Sequence, residues 1–312
     1  MTNKKIVLVI LALVPCGHLF AAEKPAVLIV PDDFNSIQAA IDAAHVGDTV
    51  LIKPGVYNET IKFKDGINLR GQSTDTNTAT LQTDSLSSVI EVKNCRSGKI
   101  SNLSLRHLPG ADSNNSTPLI HMTQSNIEIS DCNLSNAKGY GIFVESASLP
   151  TISNCVITKS FRSGIGIYGA KTHAILNANI VTDNNKCGIS VFNGASCEAK
   201  GNRCISNKWS GIDIQDATEE CQFFKNNCSE NTYYGISFNR CRKSVVTGNI
   251  CNQNNRHGIG ITVCDADFII TENQCSSNRQ SGIQFWKNRG GQKRSGRHRC
   301  CGLFRRRQSY GK

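Results

Sequence analysis

Three side chains able to exchange protons stand in successive copies of one repeated phrase: Asp213 in "GIDIQ", Tyr234 in "TYYGISF" and His257 in "NRHGIGI". A carboxyl, a phenol and an imidazole are groups that act on hydroxyl-bearing substrates, so these three are the catalytic candidates. Two residues before the glycine of the same three copies stand Trp209, Tyr233 and Arg256. Aromatic surface with hydrogen-bonding neighbours suits sugar rings, and a guanidinium suits the carboxylate of an acidic sugar. The expected binding set is therefore Trp209, Asp213, Tyr233, Tyr234, Arg256 and His257. A purely structural reading stands beside it: Trp209 and Tyr233 would cover a turn, and His257 would be a surface turn residue. Asp213 is the least expected of the six on that reading, because Asp is disfavoured within strands.

The elements that must position these residues are repeats. Seven copies align on Gly141, Gly164, Gly188, Gly211, Gly235, Gly258 and Gly282, at steps of 23 or 24 residues. Ile follows each of these glycines, and a Val, Ile or Phe stands two residues later. Apolar residues two apart on β-branched types mean short strands with one buried face. A fixed period in the twenties means a solenoid. The Leu lattice of leucine-rich repeats is missing, which leaves an all-β, right-handed parallel β-helix of 23–24-residue coils. Asn179, Asn202, Asn226, Asn249 and Asn273, nine residues before the glycine, should stack as an amide ladder. Cys204, Cys228, Cys251 and Cys275 occupy a position that is Leu134, Ile157 or Val181 in other copies, so they read as interior thiols, with neighbours in the stack within disulfide range for a minority of bridges. Stacked coils lie about 4.8 Å apart, which puts Asp213 and His257 about 10 Å apart along the axis. That is too far for one proton relay and suits contact with successive groups of an extended chain.

The ends differ from the middle. Residues 1–22 carry Lys4 and Lys5, an apolar run from Ile6 to Val14 and small residues at Ala21 and Ala22. This is the pattern of a secretory signal peptide, so a secreted or periplasmic location is expected, without stable membrane insertion after cleavage. Residues 23–47 read as an N-terminal strand and a capping helix over 34–46, with Asn35 or Ser36 as N-cap and Gly47 as the stop. Residues 48–288 read as the β-helix and 289–312 as a basic, disordered tail. Ten of the 35 Lys and Arg fall in residues 287–312, which contain no Asp or Glu; the rest, 25 basic against 24 acidic, is nearly neutral. The net charge of +11 therefore belongs to the tail, and export argues against a nucleic-acid partner. Nothing in the tail would cap the last coil, whose edge would be open to self-association.

"SIQAAIDAAHVGDTVLIKPGVYNETI", followed by "INLRGQ", resembles the opening coils of the pectin-lyase-like superfamily, pectin methylesterases and bacterial β-helix repeat proteins among them. The "N-x-C-x-x-N-x-x-x-G-I-x-I" coils are similar to the repeat of carbohydrate-binding proteins and sugar hydrolases. The same repeat occurs in alginate epimerases and in the periplasmic maturation factor of nitrous oxide reductase. The resemblance covers residues 28 to about 288 and implies the fold and a carbohydrate ligand. It does not bring an activity with it. "IQDATEE" and "ADFIITEN" are fragments of methylesterase phrases, and the epimerases' "DPHD"-like stretch is missing. Asp213, Asp216, Asp265 and Asp267 form no recognisable calcium set, and His and Met are too scattered for copper, so no metal and no cofactor is expected.

Two classes of function remain. One is an enzyme, a lyase, hydrolase or epimerase, processing an acidic polysaccharide. The other is a non-catalytic surface or periplasmic interaction module. An outward acid pair, or an acid with Tyr or His on adjoining rungs, would favour the first. Stacked aromatics without a perturbed titrating group would favour the second.

Overall fold

The computed structural model describes residues 24–72, 78–109, 116–264 and 268–286. The expected signal peptide and basic tail lie outside the described residues. Three parallel sheets of eleven, ten and six strands run along one axis, and neighbours within each sheet come from successive coils. In the ten-stranded sheet, Ile212–Gln215 pairs with Ile189–Phe192 on one side and Ile236–Asn239 on the other. The chain is thus a parallel β-helix of about ten coils. The third side thins in its second half to single bridges, Ile180↔Arg203↔Asn227↔Ile250↔Gln274.

Each coil turns its corners on residues in the left-handed region. One corner uses Asp131, Asn154, Ala178, Gly201, Lys225, Gly248 and Glu272, with φ between 52° and 68°. A second uses Asn136, Lys159, Asp183, Ser206, Glu230, Gln253 and Ser277. Such a bend costs a non-glycine residue about 1–2 kcal/mol, so something at the corner must offset it. The residue after each bend does so. Asn179, Asn202, Asn226 and Asn249 form the expected ladder: each Nδ2 and each backbone N–H donates to Oδ1 of the next Asn, at 2.9–3.0 Å, and each Nδ2 also reaches a carbonyl of the previous coil. Cys132 and Cys155 hold the ladder's earlier positions, and the Cys155 N–H donates to Asn179 Oδ1. A second ladder, Asn184, Asn207, Asn231, Asn254 and Asn278, lines the next corner. Its signal was the Asn four residues before the last five repeat glycines.

The interior is a set of apolar stacks. The Ile that follows the repeat glycine is fully buried in six copies, from Ile142 to Ile259, and half-buried at Ile283 in the last described coil. Cys204, Cys228 and Cys251 are equally buried, and the twelve described cysteines are free thiols. The repeat glycines themselves are explained by close approach. A Cβ on Gly188, Gly211, Gly235 or Gly258 would stand 2.6–2.8 Å from the carbonyl oxygen of the next repeat glycine. No side chain fits there, so coils can stack at β-sheet spacing only with glycine at this point.

The N-terminus differs in two details from the sequence reading. Val27–Val30 pairs with Thr49–Ile52 and is the first strand of the eleven-stranded sheet, so the solenoid begins ahead of the helix. The helix is Ile37–Ala43 rather than 34–46, because Ala44 already has an extended backbone. Ser36 is its N-cap, accepting from the Ala39 N–H at 3.2 Å. Ile37, Ala40 and Ile41 are buried where the helix packs on the first strands of the solenoid.

Candidate functional site

The outer face of the ten-stranded sheet carries a column of outward residues fixed by strand register. In its second half the column runs Ser190, Asp213, Ser237, Gly260 and Gln284. Asp213 is half-buried there, between Ser190 and Ser237 on adjoining coils. Ser237 Oγ donates to Asp213 Oδ1, and Gln215 Nε2 donates to Oδ2 at 2.6 Å. Burial pushes this carboxyl above the ordinary range, and those two hydrogen bonds pull it partly back.

Along the corner beside this column runs a second ladder of side chains, joined through their backbones. The N–H groups of Trp209, Tyr233 and Arg256 donate to the carbonyls of Lys186, Trp209 and Tyr233 at 2.9–3.1 Å. The side chains repeat that order as a stack. Lys186 Nζ lies 4.6 Å from the Trp209 ring centre, Trp209 and Tyr233 stack with centroids 5.5 Å apart and planes within 17°, and the Arg256 guanidinium lies 3.9 Å from the Tyr233 centre. The faces of Trp209 and Tyr233 are thus taken by each other and by two cations. Trp209 nonetheless remains 43% exposed.

Tyr234 and His257 form a parallel pair beside that stack, with centroids 5.7 Å apart and planes within 12°, and Tyr234 meets Tyr233 edge to face at 5.0 Å. Trp286, from the last described coil, stands across both at 76° to His257 and 72° to Tyr234, and is 38% exposed. Gly260 makes room for this group, since a Cβ there would lie 3.2 Å from the Tyr234 ring and 3.4 Å from Trp286. His257 is buried, and its Nδ1 accepts from the Ser281 N–H at 3.0 Å. Burial, and then the nearby Arg256, hold its imidazole below the ordinary value, so it is neutral at pH 7. The six expected residues therefore share three neighbouring coils. Asp213 is nonetheless engaged with Ser237 and Gln215, two coils from His257, and not with Tyr234 or His257.

A second aromatic group lies on the same face, outside the expected binding set. Tyr140 stacks on Phe143 at 4.7 Å, Tyr168 meets Phe192 edge to face at 5.1 Å, and Arg162 lies 5.7 Å from the Tyr140 centre. Gly166 is its counterpart of Gly260, with a Cβ position 2.8 Å from Tyr140. The signal was present in the column four residues after the glycine, where Tyr168 and Phe192 stand.

Comparison with known proteins adds a family. Residues 171–293 match the model for "Periplasmic copper-binding protein (NosD)". Among the described residues of that stretch no three His, Cys, Asp or Glu converge, and the Cys204, Cys228 and Cys251 thiols stand one per coil inside the solenoid. No curated protein matches the chain in sequence. Among solved structures, the A-module of a mannuronan C-5 epimerase of Azotobacter vinelandii is similar at 18% identity and a TM-score of 0.65, over 81% of this chain and 77% of that one. A periplasmic alginate epimerase is similar at 16% and 0.59, over 83% and 65%. A capsular polysaccharide depolymerase, the tailspike of Acinetobacter baumannii bacteriophage Fri1, follows at 11% and 0.50, over 85% and 63%. The chain spans less than two thirds of the length of the last two. At these identities the likeness is one of fold. Residues 65–223, about half of the sequence, match the model for "Right handed beta helix region", and with the three-sheet coil of the structure this places the chain in that right-handed β-helix family.

Proposed function

We propose that this chain is an exported β-helix repeat protein that binds an acidic polysaccharide along the outer face of its ten-stranded sheet. The observation that carries the reading is the Lys186–Trp209–Tyr233–Arg256 stack beside the Asp213 column. A guanidinium held 3.9 Å from the centre of a tyrosine ring is restrained by that contact, and its planar fork of donors suits two-point contact with a uronate carboxylate. The half-buried Asp213, Gln215 and Gln284 alongside supply acceptors and donors for hydroxyls. Structural neighbours whose names mark them as acting on alginate or capsular polysaccharide support the ligand class. The signal-peptide pattern of residues 1–22, and the periplasmic naming of the matched NosD family and of the alginate epimerase, support export.

Binding is favoured over chemistry at this patch, because both Asp213 oxygens already accept hydrogen bonds and His257 Nδ1 is engaged. The test is a panel of acidic and neutral polysaccharides in affinity electrophoresis, with product assays alongside. The expected result is retardation by at least one acidic glycan, weakened in both Asp213→Ala and Arg256→Ala. If both variants, folded, are retarded as strongly as the parent, this face is scaffold.

A further inference from the structure

The first half of the same outward column has a different character. Register places Lys62, Glu91 and His121 on three successive coils, where the second half has Ser, Asp and Gly. These three line a groove of ≈ 990 Å³, walled by Gln38 and Asp42 of the helix and by residues 86–88 and 116–118. His121 lies four coils from Asp213 along the column, about 19 Å at β-sheet spacing. The groove is therefore separate from the stack around Arg256.

Its walls are fastened from behind. His107 is buried under the 86–88 segment: its Nε2 meets the Ser87 carbonyl at 3.2 Å, and its Nδ1 accepts from the Lys138 N–H at 3.1 Å. Nδ1 is thus unprotonated and Nε2 carries the proton, and burial keeps this imidazole below its ordinary value. Lys138 Nζ ties the same segment through the Asp84 carbonyl at 2.7 Å, and Arg162 Nη2 donates to Ser116 Oγ at 2.8 Å. On the helix side, Gln38 bridges Asp42 at 2.9 Å and the Lys62 backbone at 2.8 Å. A concavity of mixed lining, with Ile61, Phe63, Leu86 and Pro118 among its polar groups and its walls fixed by their own hydrogen bonds, has the make-up of a pre-formed ligand site.

The lining says what would bind. Lys62 and Lys64 balance Asp42 and Glu91 in formal charge, so a uniformly charged ligand gains little from it. Lys64 is spent on the Asp42 and Ala44 carbonyls. His121 Nε2 lies 2.9 Å from Glu145 Oε1, which orients the ring, and among the described residues no hydrogen bond engages Nδ1. Donor, acceptor and imidazole then follow one another at about 4.8 Å, and the partner that meets such a series is one whose groups both donate and accept. Hydroxyls do.

We propose that this groove is a second saccharide site, reading sugar hydroxyls through Lys62, Glu91 and His121, with Glu145 and His107 as positioning residues. The proposal rests on the glycan reading of the chain, but not on the patch at Asp213 and Arg256. The experiment labels the histidines of the full chain with ¹³C and ¹⁵N. It follows the His121 ring resonances during titration with maltohexaose, mannohexaose, oligoguluronate and oligogalacturonate. At least one probe is expected to shift His121, and Lys62→Ala and Glu91→Gln, both exposed positions, to weaken that probe about tenfold. Arg256→Ala should leave the His121 shift in place. If no probe moves His121, or if the two groove variants bind as the parent does, the groove proposal is overturned. Loss of oligouronate binding in Arg256→Ala alone would leave the outer-face reading standing without the groove; loss in the groove variants alone would do the reverse.

Discussion

The guanidinium of Arg256 lies 3.9 Å from the centre of the Tyr233 ring, which itself stacks on Trp209. Arg256 is thereby restrained by a neighbour one coil away, and the pair should act as a unit. Arg256→Ala should weaken an acidic oligosaccharide about tenfold or more, as loss of a charge-assisted hydrogen bond does. Arg256→Lys should recover little, since an ammonium keeps the charge but not the planar fork. In a double-mutant cycle with Tyr233→Leu, the stability coupling should be about 0.5–1 kcal/mol, the range for exposed cation–π pairs. Zero coupling would show that the stack is geometry without energy.

Asn226 is the clearest test of the ladder. It is buried, its Oδ1 receives the N–H and Nδ2 of Asn202, and its Nδ2 reaches Ala199 O and Asn249 Oδ1. Asn226→Ala strands those groups, at about 1–3 kcal/mol for each one left buried and unpaired. Asn226→Cys should cost less, because Cys132 and Cys155 hold the equivalent position on earlier coils. Urea midpoints for the two variants would decide the order.

Gly235 tests the reason for the repeat glycine. Its φ does not require glycine, yet a Cβ would stand 2.6 Å from Gly258 O and 2.7 Å from Cys228 O. Gly235→Ala should destabilise by about 1–3 kcal/mol through forced separation of two coils. Gly260→Ala should instead leave the urea midpoint close to the parent's and displace Tyr234 and Trp286, seen as a change in near-ultraviolet circular dichroism.

Stability should fall on mild acidification. His107, His173 and His257 are each held below the ordinary imidazole value of 6.5, with burial as the leading cause. For a base whose folded value is depressed, stability is full above the unfolded value and is lost as pH falls through the folded one. Asp213, raised by burial, works in the opposite sense, since lowering the pH relieves a buried charge. Three imidazoles against one carboxyl give a falling thermal midpoint between about pH 7.5 and 5. A His107→Gln variant should show a shallower fall. A midpoint that rises over that interval would contradict the assignment.

The repeat determined the coil. Spacing of Gly, Ile, Asn and Cys was enough to place strands, buried Ile, an amide ladder and interior thiols, because each coil meets only its neighbours and a period in sequence becomes a stack in space. The same logic put Asp213, Tyr234 and His257 on successive rungs, and Trp209, Tyr233 and Arg256 beside them. Tertiary structure decided which way those side chains turn. Ring faces that looked available in Trp209 and Tyr233 are consumed by Lys186, Arg256 and each other, since residues about 4.8 Å apart in a column stack before they reach outward. It also decided the groove. Gln38, Asp42, Lys62, Glu91, Ser116 and His121 lie in the first coils, where the period is loose, so no spacing in the sequence brings them together. What gathers them is the packing of a short helix and two irregular segments on one end of the ten-stranded sheet.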